Sequence, residues 1–548
     1  MDTAIKIFQA SKIITMNPSI PTATHVAVRG DRVLAVGTAE DMAPWADAPL
    51  DTSFADKVLL PGFVEGHAHI MEGGIWGFPY VGYFDRISPE GVRVKGMDSI
   101  DAVVEKLRAV SEAMSDPDEI LFAWGFDPIY FGGRRMTRQD LDRVSTTRPV
   151  LVIHASFHIL NVNSYTFNKI GVDRSTNIDG IPKAEDGEPA GEMQGVAARL
   201  RLFRGLNWYA INEMAKPEHV RRFGRSATIM GVTTLTDLHN EMPEQTLTTY
   251  RQVTEEPDFP IRLVPALSRV GLSTEGTIDY IRKLQAMNNA KLHFGMVKLI
   301  VDGSIQGFTA RLRWPGYHNG AENGLWYIAP DELRSIVSAL HAAHVHMHIH
   351  TNGDEATEVV LDAVEAAQKA HYWADHRHTL QHCQMASQQQ FRRIKTLGLC
   401  VNLFSNHIHY WGDQHYAITM GPERAMRMNA AGTALRLGIP FSLHSDAPVT
   451  PLAPLFTAWC AVNRRTVSGR ILSPEERLSV ADALAAVTLG TAYTMRMDHL
   501  VGSIEIGKYA DFAVLEQDPF SVDPAALKDI PIWGTVCGGK PFQAPKAS

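Results

Sequence analysis

The sequence predicts an α/β protein with a (β/α)8 barrel of the TIM type, a small composite β-sandwich domain formed by both chain ends, and an inserted lid region. Between about residues 60 and 500, short apolar runs alternate with longer helical patterns, which is typical of a parallel sheet with helical crossovers. About eight strand-like runs occur, and this number suggests a closed barrel. Glycine-punctuated β patterns appear only near the two chain ends.

The chain ends are the first elements to justify. Residues 4–16 are rich in Ile, and Gly30 and Asp31 follow soon after as a hairpin-type turn. Residues 502–515 alternate in polarity and break at glycines in a similar way. We therefore expect one β-sandwich domain that is formed by residues 1–59 and 501–548.

The barrel is expected within residues 60–500. Helical patterns such as 330–343 and 354–370 separate its candidate strands. The region before residue 150 is too long for one crossover, so we expect an insertion at about 72–150, whose aromatic and glycine residues suit a lid. The candidate strands after the first one lie at residues 150–153, 233–238, 261–267, 296–301, 345–350, 378–382, 400–404 and 440–444.

Composition excludes several classes of protein. The chain has 548 residues, 45% of them hydrophobic, which is enough for a large core. Its net charge of -8 leaves no basic field for phosphates, so we expect no nucleic-acid partner. The four cysteines are widely spaced, which argues against a disulfide framework or a thiolate zinc site. A metal ion would therefore need nitrogen and oxygen ligands.

The N-terminal residues show no apolar run of the length that a signal peptide needs, and no segment approaches eighteen uninterrupted apolar residues. We therefore expect no membrane partner and a cytoplasmic location.

Residues of the ligand type recur where predicted strands end. His67 and His69 follow an apolar run, and side chains two apart in an extended segment point the same way. Catalytic groups of a barrel come from the carboxyl ends of its strands. Further candidates at such positions are Lys298, His350, His382 and Asp446.

The four histidines of the run 344–350 cannot all be metal ligands. Its even positions share one face, which we take as the barrel interior, and two residues along a strand span about 6–7 Å. Only His350 is expected at the mouth, whereas His346 and His348 are expected to make local hydrogen bonds in the interior. His444 shares the parity of Asp446 but lies one layer deeper, so it is a candidate for supporting a ligand.

The order of these motifs resembles a known family. The pattern His67-x-His69, Lys298, His350, His382 and Asp446, followed by the segment 502–512, is similar to the metal-dependent amidohydrolase superfamily. Within it, the chain resembles the YtcJ-like branch, amidohydrolase family 3, which includes N-substituted formamide deformylase. The resemblance spans nearly the whole chain. Glu65-Gly66 departs from the family's usual Asp with a small residue before the first histidine.

The resemblance implies one or two divalent ions at the barrel mouth. His67, His69 and Asp446 would hold the first ion, His350 and His382 the second, with Lys298 as an N-carboxylated bridge. Zinc is the expected metal, with manganese or iron as alternatives, since histidine and carboxylate ligands suit each. The alternative is a single ion beside an unmodified Lys298 that pairs with Asp302 or Glu192.

The resemblance also implies a mechanism and a pocket. Metal-activated hydroxide would attack the substrate, with Asp446 as general base and then acid. His158 is a candidate oxyanion or substrate contact, against an equal chance of a packing role. The candidate residues for lining the substrate pocket, each with packing as the alternative, are Trp76, Tyr410, Trp411 and Asp413.

These observations together predict a hydrolase for a small molecule. We expect cleavage of the C–N bond of an amide, in an N-acyl or N-formyl amine with a hydrophobic substituent. An alternative keeps the metal site but acts on a lactone, carbamate or cyclic imide, or as a deaminase or decarboxylase. A non-catalytic scaffold is the third reading, although scaffolds typically lose ligands and all six positions are filled here. A homodimer is expected, because barrels of this size with a lid often pair.

Overall fold

The computed structural model describes residues 4–209, 216–269 and 271–545. The chain divides into two compact units. Of the described residues, the first unit contains those up to Ile70 and those from Val220 onward, and the second contains those between Met71 and His219.

The strands of the described residues are β1 (Ile5–Ile14), β2 (Thr22–Arg29), β3 (Arg32–Gly37), β4 (Leu50–Pro61), β5 (Phe63–Glu65), β6 (Arg86–Ile87), β7 (Arg93–Val94), β8 (Leu121–Phe126), β9 (Val150–His154), β10 (Ile159–Val162), β11 (Glu192–Gln194), β12 (Val232–Asn240), β13 (Arg262–Ser268), β14 (Met296–Ile300), β15 (His346–Thr351), β16 (Thr379–His382), β17 (Cys400–Leu403), β18 (Phe441–Leu443), β19 (Phe512–Leu515), β20 (Ile532–Cys537) and β21 (Lys540–Gln543).

The α-helices of the same residues are α1 (Met71–Ile75), α2 (Ile100–Ala113), α3 (Arg138–Asp142), α4 (Ser164–Lys169), α5 (Gly195–Leu206), α6 (Pro217–Ile229), α7 (Glu244–Thr254), α8 (Thr274–Gln285), α9 (Pro330–Ala342), α10 (Asp354–Ala370), α11 (Gln388–Leu397), α12 (Asn406–Gln414), α13 (Gly421–Ala425), α14 (Ala431–Arg436), α15 (Pro454–Asn463), α16 (Val480–Ala486) and α17 (Leu489–Thr494).

The first unit contains a nearly closed barrel of eight parallel strands. Strand β5 pairs with β12, and β13 to β18 follow in chain order, each beside the one before. At the seam between β5 and β18, Ala68 forms an isolated parallel bridge with Ala447, and the His69 N–H donates to the Ala447 carbonyl at 2.8 Å. The predicted barrel class is therefore observed.

Strand β15 shows why these residues form a barrel wall. Its odd positions, Met347 and Ile349, lie in the large apolar core that also contains residues of α9 and α10. Its even positions are histidines that hydrogen-bond with neighbouring elements. Because strand side chains alternate between faces, one face packs against helices while the other lines the interior. The predicted parity is confirmed.

The helices around the barrel begin and end at the expected signals. Helix α11 begins with a capping box between Ser387 and Gln390 and ends at Gly398 in the left-handed conformation. Helix α9 has Pro330 in its first turn, where a missing N–H costs nothing.

Both chain ends contribute to one seven-stranded sheet in the same unit. Its order is β21-β20-β19-β4-β1-β2-β3, so strands from the first 61 residues pair with strands from the last part of the chain. Strand β19 joins the two sets by antiparallel pairing with β4. The expected two-layer sandwich, and its limits at residues 59 and 501, stay predictions.

One of the predicted barrel strands lies in the second unit, and its assignment to the barrel was wrong. Val150–His154 is a strand, but it lies in a four-stranded sheet of order β11-β10-β9-β8 and not in the barrel. Leu151 and Ile153 pack in one apolar cluster, and Val150 and Val152 in another. Burial on both faces produces the same apolar run in either kind of sheet, so the pattern alone does not distinguish them. The compact unit extends past residue 150 to His219.

Within the described ranges, no helix is both long enough and apolar enough to cross a membrane.

Candidate metal centre

The ends of β5 and β18 bring three potential ligands together. The Nε2 atom of His69 lies 3.2 Å from Oδ1 of Asp446, and Nε2 of His67 lies 3.4 Å from the same oxygen. Ligand atoms of the three side chains all lie within 4.8 Å of one another. Zinc bonds of about 2.0–2.1 Å in a tetrahedron place two ligand atoms about 3.3 Å apart, so this spacing fits one ion.

A second group shares His67 with two other histidines. Ligand nitrogens of His67, His382 and His444 also lie within 4.8 Å of one another. The sequence analysis placed His444 one layer deeper, as a supporting residue. The structure brings its ring next to His67, with centroids 4.7 Å apart. Its position two residues before Asp446 was the signal that pointed to this face.

Lys298 lies at the same centre. Its Nζ atom is 3.2 Å from Nε2 of His67. Burial lowers the pKa of Lys298 to about 7, while the nearby Asp446 opposes this shift. The pairing with Asp302 that belongs to the single-ion alternative is not found in the described residues, where the Asp302 carboxylate accepts from the backbone N–H groups of Arg311, Asn352 and Gly353.

His350 contacts His382 but belongs to neither group of three. Its Nδ1 lies 3.0 Å from Nε2 of His382, while its Nε2 lies 3.3 Å from the Gly303 carbonyl oxygen. The amide nitrogen Nδ2 of Asn352 also lies 3.1 Å from Nε2 of His350. Two nitrogens about 3 Å apart are close to the separation that two ligands of one ion adopt.

Backbone geometry at the strand ends turns the side chains inward. His382 and Asp446 have φ angles of 68° and 54°, in the left-handed region that non-glycine residues rarely adopt. Such strain clusters at functional sites, where the surrounding structure maintains it. Gly66 is required for space, because a Cβ there would lie 2.8 Å from the Thr491 methyl carbon.

Glu65 is a buried carboxyl group that sequence reasoning treated only as a departure from the family pattern. It accepts from the His67 N–H at 3.0 Å and from the Ser445 hydroxyl at 2.7 Å. Burial raises the pKa of Glu65 to about 8, although these hydrogen bonds oppose the shift. Glu65 thus ties the residue before Asp446 to the backbone of His67.

Burial also sets the charge of the histidine rings. It lowers the pKa of His67, His382 and His444 well below the usual range, and neighbouring cationic or histidine groups add to this effect. The rings are therefore neutral near pH 7, which is the form that binds metal ions.

The residues present fit a metal ion. In the part of the chain that the structure describes, both ring nitrogens of His444 and Nδ1 of His382 are buried without a hydrogen-bond partner. Such orphaned groups are costly and require an explanation. Neutral imidazoles, a carboxylate and a lysine form a donor set that suits zinc, manganese or iron.

The predicted pocket residues have varied surroundings. On α12, Trp411 is buried and packs against His407 with ring centroids 4.4 Å apart, and the Tyr410 ring lies 5.6 Å from that of Phe456. The Asp413 carboxylate accepts from Ser468 and so anchors a surface loop.

Two further pocket candidates belong to the second unit. There the Trp76 ring packs edge-on to Trp124, and its Nε1 donates to Glu72 at 3.1 Å. The His158 N–H donates to the hydroxyl of Ser156. The substrate contacts of Trp76, His158, Tyr410, Trp411 and Asp413 stay predictions.

Comparison with known sequences now decides the family. The sequence profile of the Amidohydrolase family matches residues 55–543, which is most of the chain. The chain belongs to the amidohydrolase family. The resemblance drawn from the order of the histidine, lysine and aspartate motifs is thereby confirmed, including its likeness to the YtcJ-like branch.

Curated relatives match over nearly their full lengths. "Protein LONG AFTER FAR-RED 3" of Arabidopsis thaliana is 27% identical, over 96% of this chain and 90% of its own. "Putative amidohydrolase YtcJ" of Bacillus subtilis is 26% identical, with coverages of 89% and 90%. "N-substituted formamide deformylase" of Arthrobacter pascens is 24% identical and covers 96% of each chain.

A solved structure supports the same fold. An uncharacterized metal-dependent hydrolase of Pyrococcus horikoshii superimposes with a TM-score of 0.72 at 19% identity, over 95% of this chain and 99% of its own. Membership of this family shows that the chain is a hydrolase acting on C–N bonds.

Replacing His350 tests the ligand assignment. We expect His350→Ala to lower the bound metal by about one ion per chain, because His382 would lose the nitrogen that lies 3.0 Å from it. Metal content of the purified protein, measured by plasma mass spectrometry, gives the answer.

The matched control is His346→Ala, which removes a buried histidine from the same face of β15, deeper in the barrel. Unchanged metal content in His350→Ala would show that His350 is no ligand. A loss in His444→Ala would then assign His444 in its place.

Proposed function

We propose that this amidohydrolase cleaves the C–N bond of an N-acyl or N-formyl amine that carries a hydrophobic substituent. The observation that carries the proposal is the convergence of His67, His69, Lys298 and Asp446 at the carboxyl ends of the barrel strands. The full-length likeness to a relative named "N-substituted formamide deformylase" supports an amide as the substrate.

The residues that would hold metal ions divide into two sets. His67, His69 and Asp446 form the first set, and His350 and His382 form the second. When bound, a divalent ion supplies Lewis acidity, which lowers the pKa of water and polarises a carbonyl group. Zinc is the proposed metal.

Lys298 is proposed to bridge the two sets as a carbamate. Its amine would add to carbon dioxide and lose one proton, which replaces an ammonium with two oxygens and a negative charge. The position of Nζ beside His67 supports this proposal. The alternative is an unmodified Lys298 beside a single ion, and the intact mass of the native protein distinguishes the two by the added carbon dioxide.

Asp446 is proposed to move the proton during hydrolysis. Its Oδ1 lies 3.2 Å from His69 Nε2, and its Oδ2 lies on the side of His382, 3.9 Å from Nδ1. The carboxylate is thus held at the centre where the scissile carbonyl would bind. It would accept a proton from the attacking water and then donate it to the leaving amine.

A hydrolysis screen tests the proposal. The purified protein, with added zinc or with chelator, is incubated with N-formyl and N-acetyl amines, N-acyl amino acids, lactones and carbamates, and products are identified by mass spectrometry. We expect release of an amine that chelator abolishes and zinc restores, because water is a poor nucleophile at neutral pH without a metal ion.

The panel also contains the alternatives. Turnover of lactones or carbamates alone, or silence on every amide while the metal is bound, would contradict the proposed substrate class. Activity that persists after the metal content has fallen to zero would contradict the metal-dependent mechanism itself.

A further inference from the structure

Polar side chains line the barrel interior next to the candidate metal centre. Gln381, Asn402 and Ser442 are register neighbours on β16, β17 and β18, and all three are fully buried. Barrel interiors are usually filled by branched apolar side chains. Buried polar groups of this kind are costly unless each has a partner, so their hydrogen bonds are informative.

The direction of these hydrogen bonds follows from the Thr494 carbonyl oxygen, which can only accept. The Thr494 carbonyl oxygen lies 3.1 Å from Nε2 of His348, so this nitrogen carries a proton. The other ring nitrogen of neutral His348, Nδ1, then accepts from the Gln381 Nε2 amine at 2.6 Å. The Gln381 amide is therefore oriented with its oxygen away from His348.

The contacts of Asn402 fit the same orientation of the Gln381 amide. Its Nδ2 amine donates to Oε1 of Gln381 at 2.9 Å, while its oxygen accepts from the Ser442 hydroxyl at 2.8 Å. With the Gln381 amide oriented by His348, its oxygen is the acceptor for Asn402. That oxygen lies 2.8 Å from Nδ1 of His67.

The Gln381 oxygen determines which ring nitrogen of His67 carries the lone pair. Because Gln381 Oε1 only accepts, the proton of neutral His67 lies on Nδ1 and its lone pair on Nε2. Nε2 is the atom that faces Lys298 Nζ at 3.2 Å and Asp446 Oδ1 at 3.4 Å. We propose that Gln381, oriented by His348 and Asn402, is a positioning residue that fixes the tautomer of His67 and presents Nε2 to a metal ion.

This inference rests on the proposed metal centre. It also gives a role to His348, which is not among the proposed ligands. His348 was expected to make only local hydrogen bonds. In the structure it connects the Thr494 carbonyl to Gln381, whereas His346 donates to the Arg377 carbonyl. Removing the hydrogen-bond partner of a ligating histidine typically weakens metal binding by about 10- to 100-fold.

Two variants of Gln381 and one control test the proposal with Co²⁺ as the probe. Gln381→Met removes the acceptor, and we expect Co²⁺ to bind about 10- to 100-fold more weakly with an altered visible absorption spectrum. Gln381→Glu retains an acceptor for His67 Nδ1 and is expected to bind Co²⁺ no more weakly than the wild type. His346→Gln removes a buried histidine of the same face and is expected to leave the dissociation constant unchanged.

Unchanged affinity and spectrum in a folded Gln381→Met protein would overturn the proposal, as would equal weakening in His346→Gln. A second measurement separates this result from failure of the metal centre. In metal-free, deuterated wild-type protein with ¹⁵N-labelled histidine, resonances lost in His67→Gln report the tautomer of His67. We expect a proton on Nδ1, even if Co²⁺ does not bind, and a proton on Nε2 would overturn the proposal.

Discussion

Replacing Asp446 with asparagine is expected to lower turnover by about 10²- to 10⁴-fold, the usual contribution of a positioned general base. Asparagine cannot accept the proton, but its amide oxygen still lies beside His67 and His69, so most of the metal is expected to stay bound. The measurement is kcat on the amide that the hydrolysis screen identifies, with metal content determined on the same sample.

Asp498→Asn is the control for this variant, because Asp498 pairs with Arg377 near the surface and lies outside the candidate centre. Normal turnover in Asp446→Asn would remove Asp446 from the proton-transfer step. Loss of metal together with turnover would instead assign it a role as a ligand alone.

Breaking the buried ion pair between Arg262 and Asp511 is expected to destabilise the first unit by about 3–5 kcal/mol. Arg262, on β13, donates to Asp511 through Nε at 2.7 Å and Nη2 at 2.9 Å, and both side chains are about 3% exposed. The guanidinium also stacks on Tyr509 at 3.3 Å. Asp511→Ala would leave this cation buried without its carboxylate.

The free energy of unfolding, measured by urea denaturation, checks this expectation. The control is Asp518→Ala, which breaks the more exposed pair with Lys12 and is expected to cost about 1 kcal/mol at most. Equal costs for the two variants would show that burial of the Arg262 pair adds nothing to stability.

Much of the barrel could be predicted from the alternation of apolar runs and helical patterns. Strands β12 to β18 lie where the sequence places them, since each run has one face against helices. The exception, Val150–His154, has the same apolar pattern but is buried in another sheet. Pairing partners are chosen by contacts between distant residues, and a local pattern carries no information about them.

The candidate metal centre was also predictable only in part. The sequence predicts that His67 and His69 point the same way, since side chains two apart in an extended segment do so, and it places Asp446 after the last barrel strand. Their convergence at one point depends on the near closure of the barrel, which brings β5 beside β18.

Gln381 and His382 show where sequence reasoning reaches its limit. Neighbours in a regular strand face opposite sides, so parity predicts that only one of them faces the interior. The left-handed backbone of His382, with φ of 68°, ends that alternation, and both side chains contact groups of the centre. Gln381 reaches His67 by regular alternation, whereas a single backbone angle, held by tertiary packing, determines that His382 also reaches the centre.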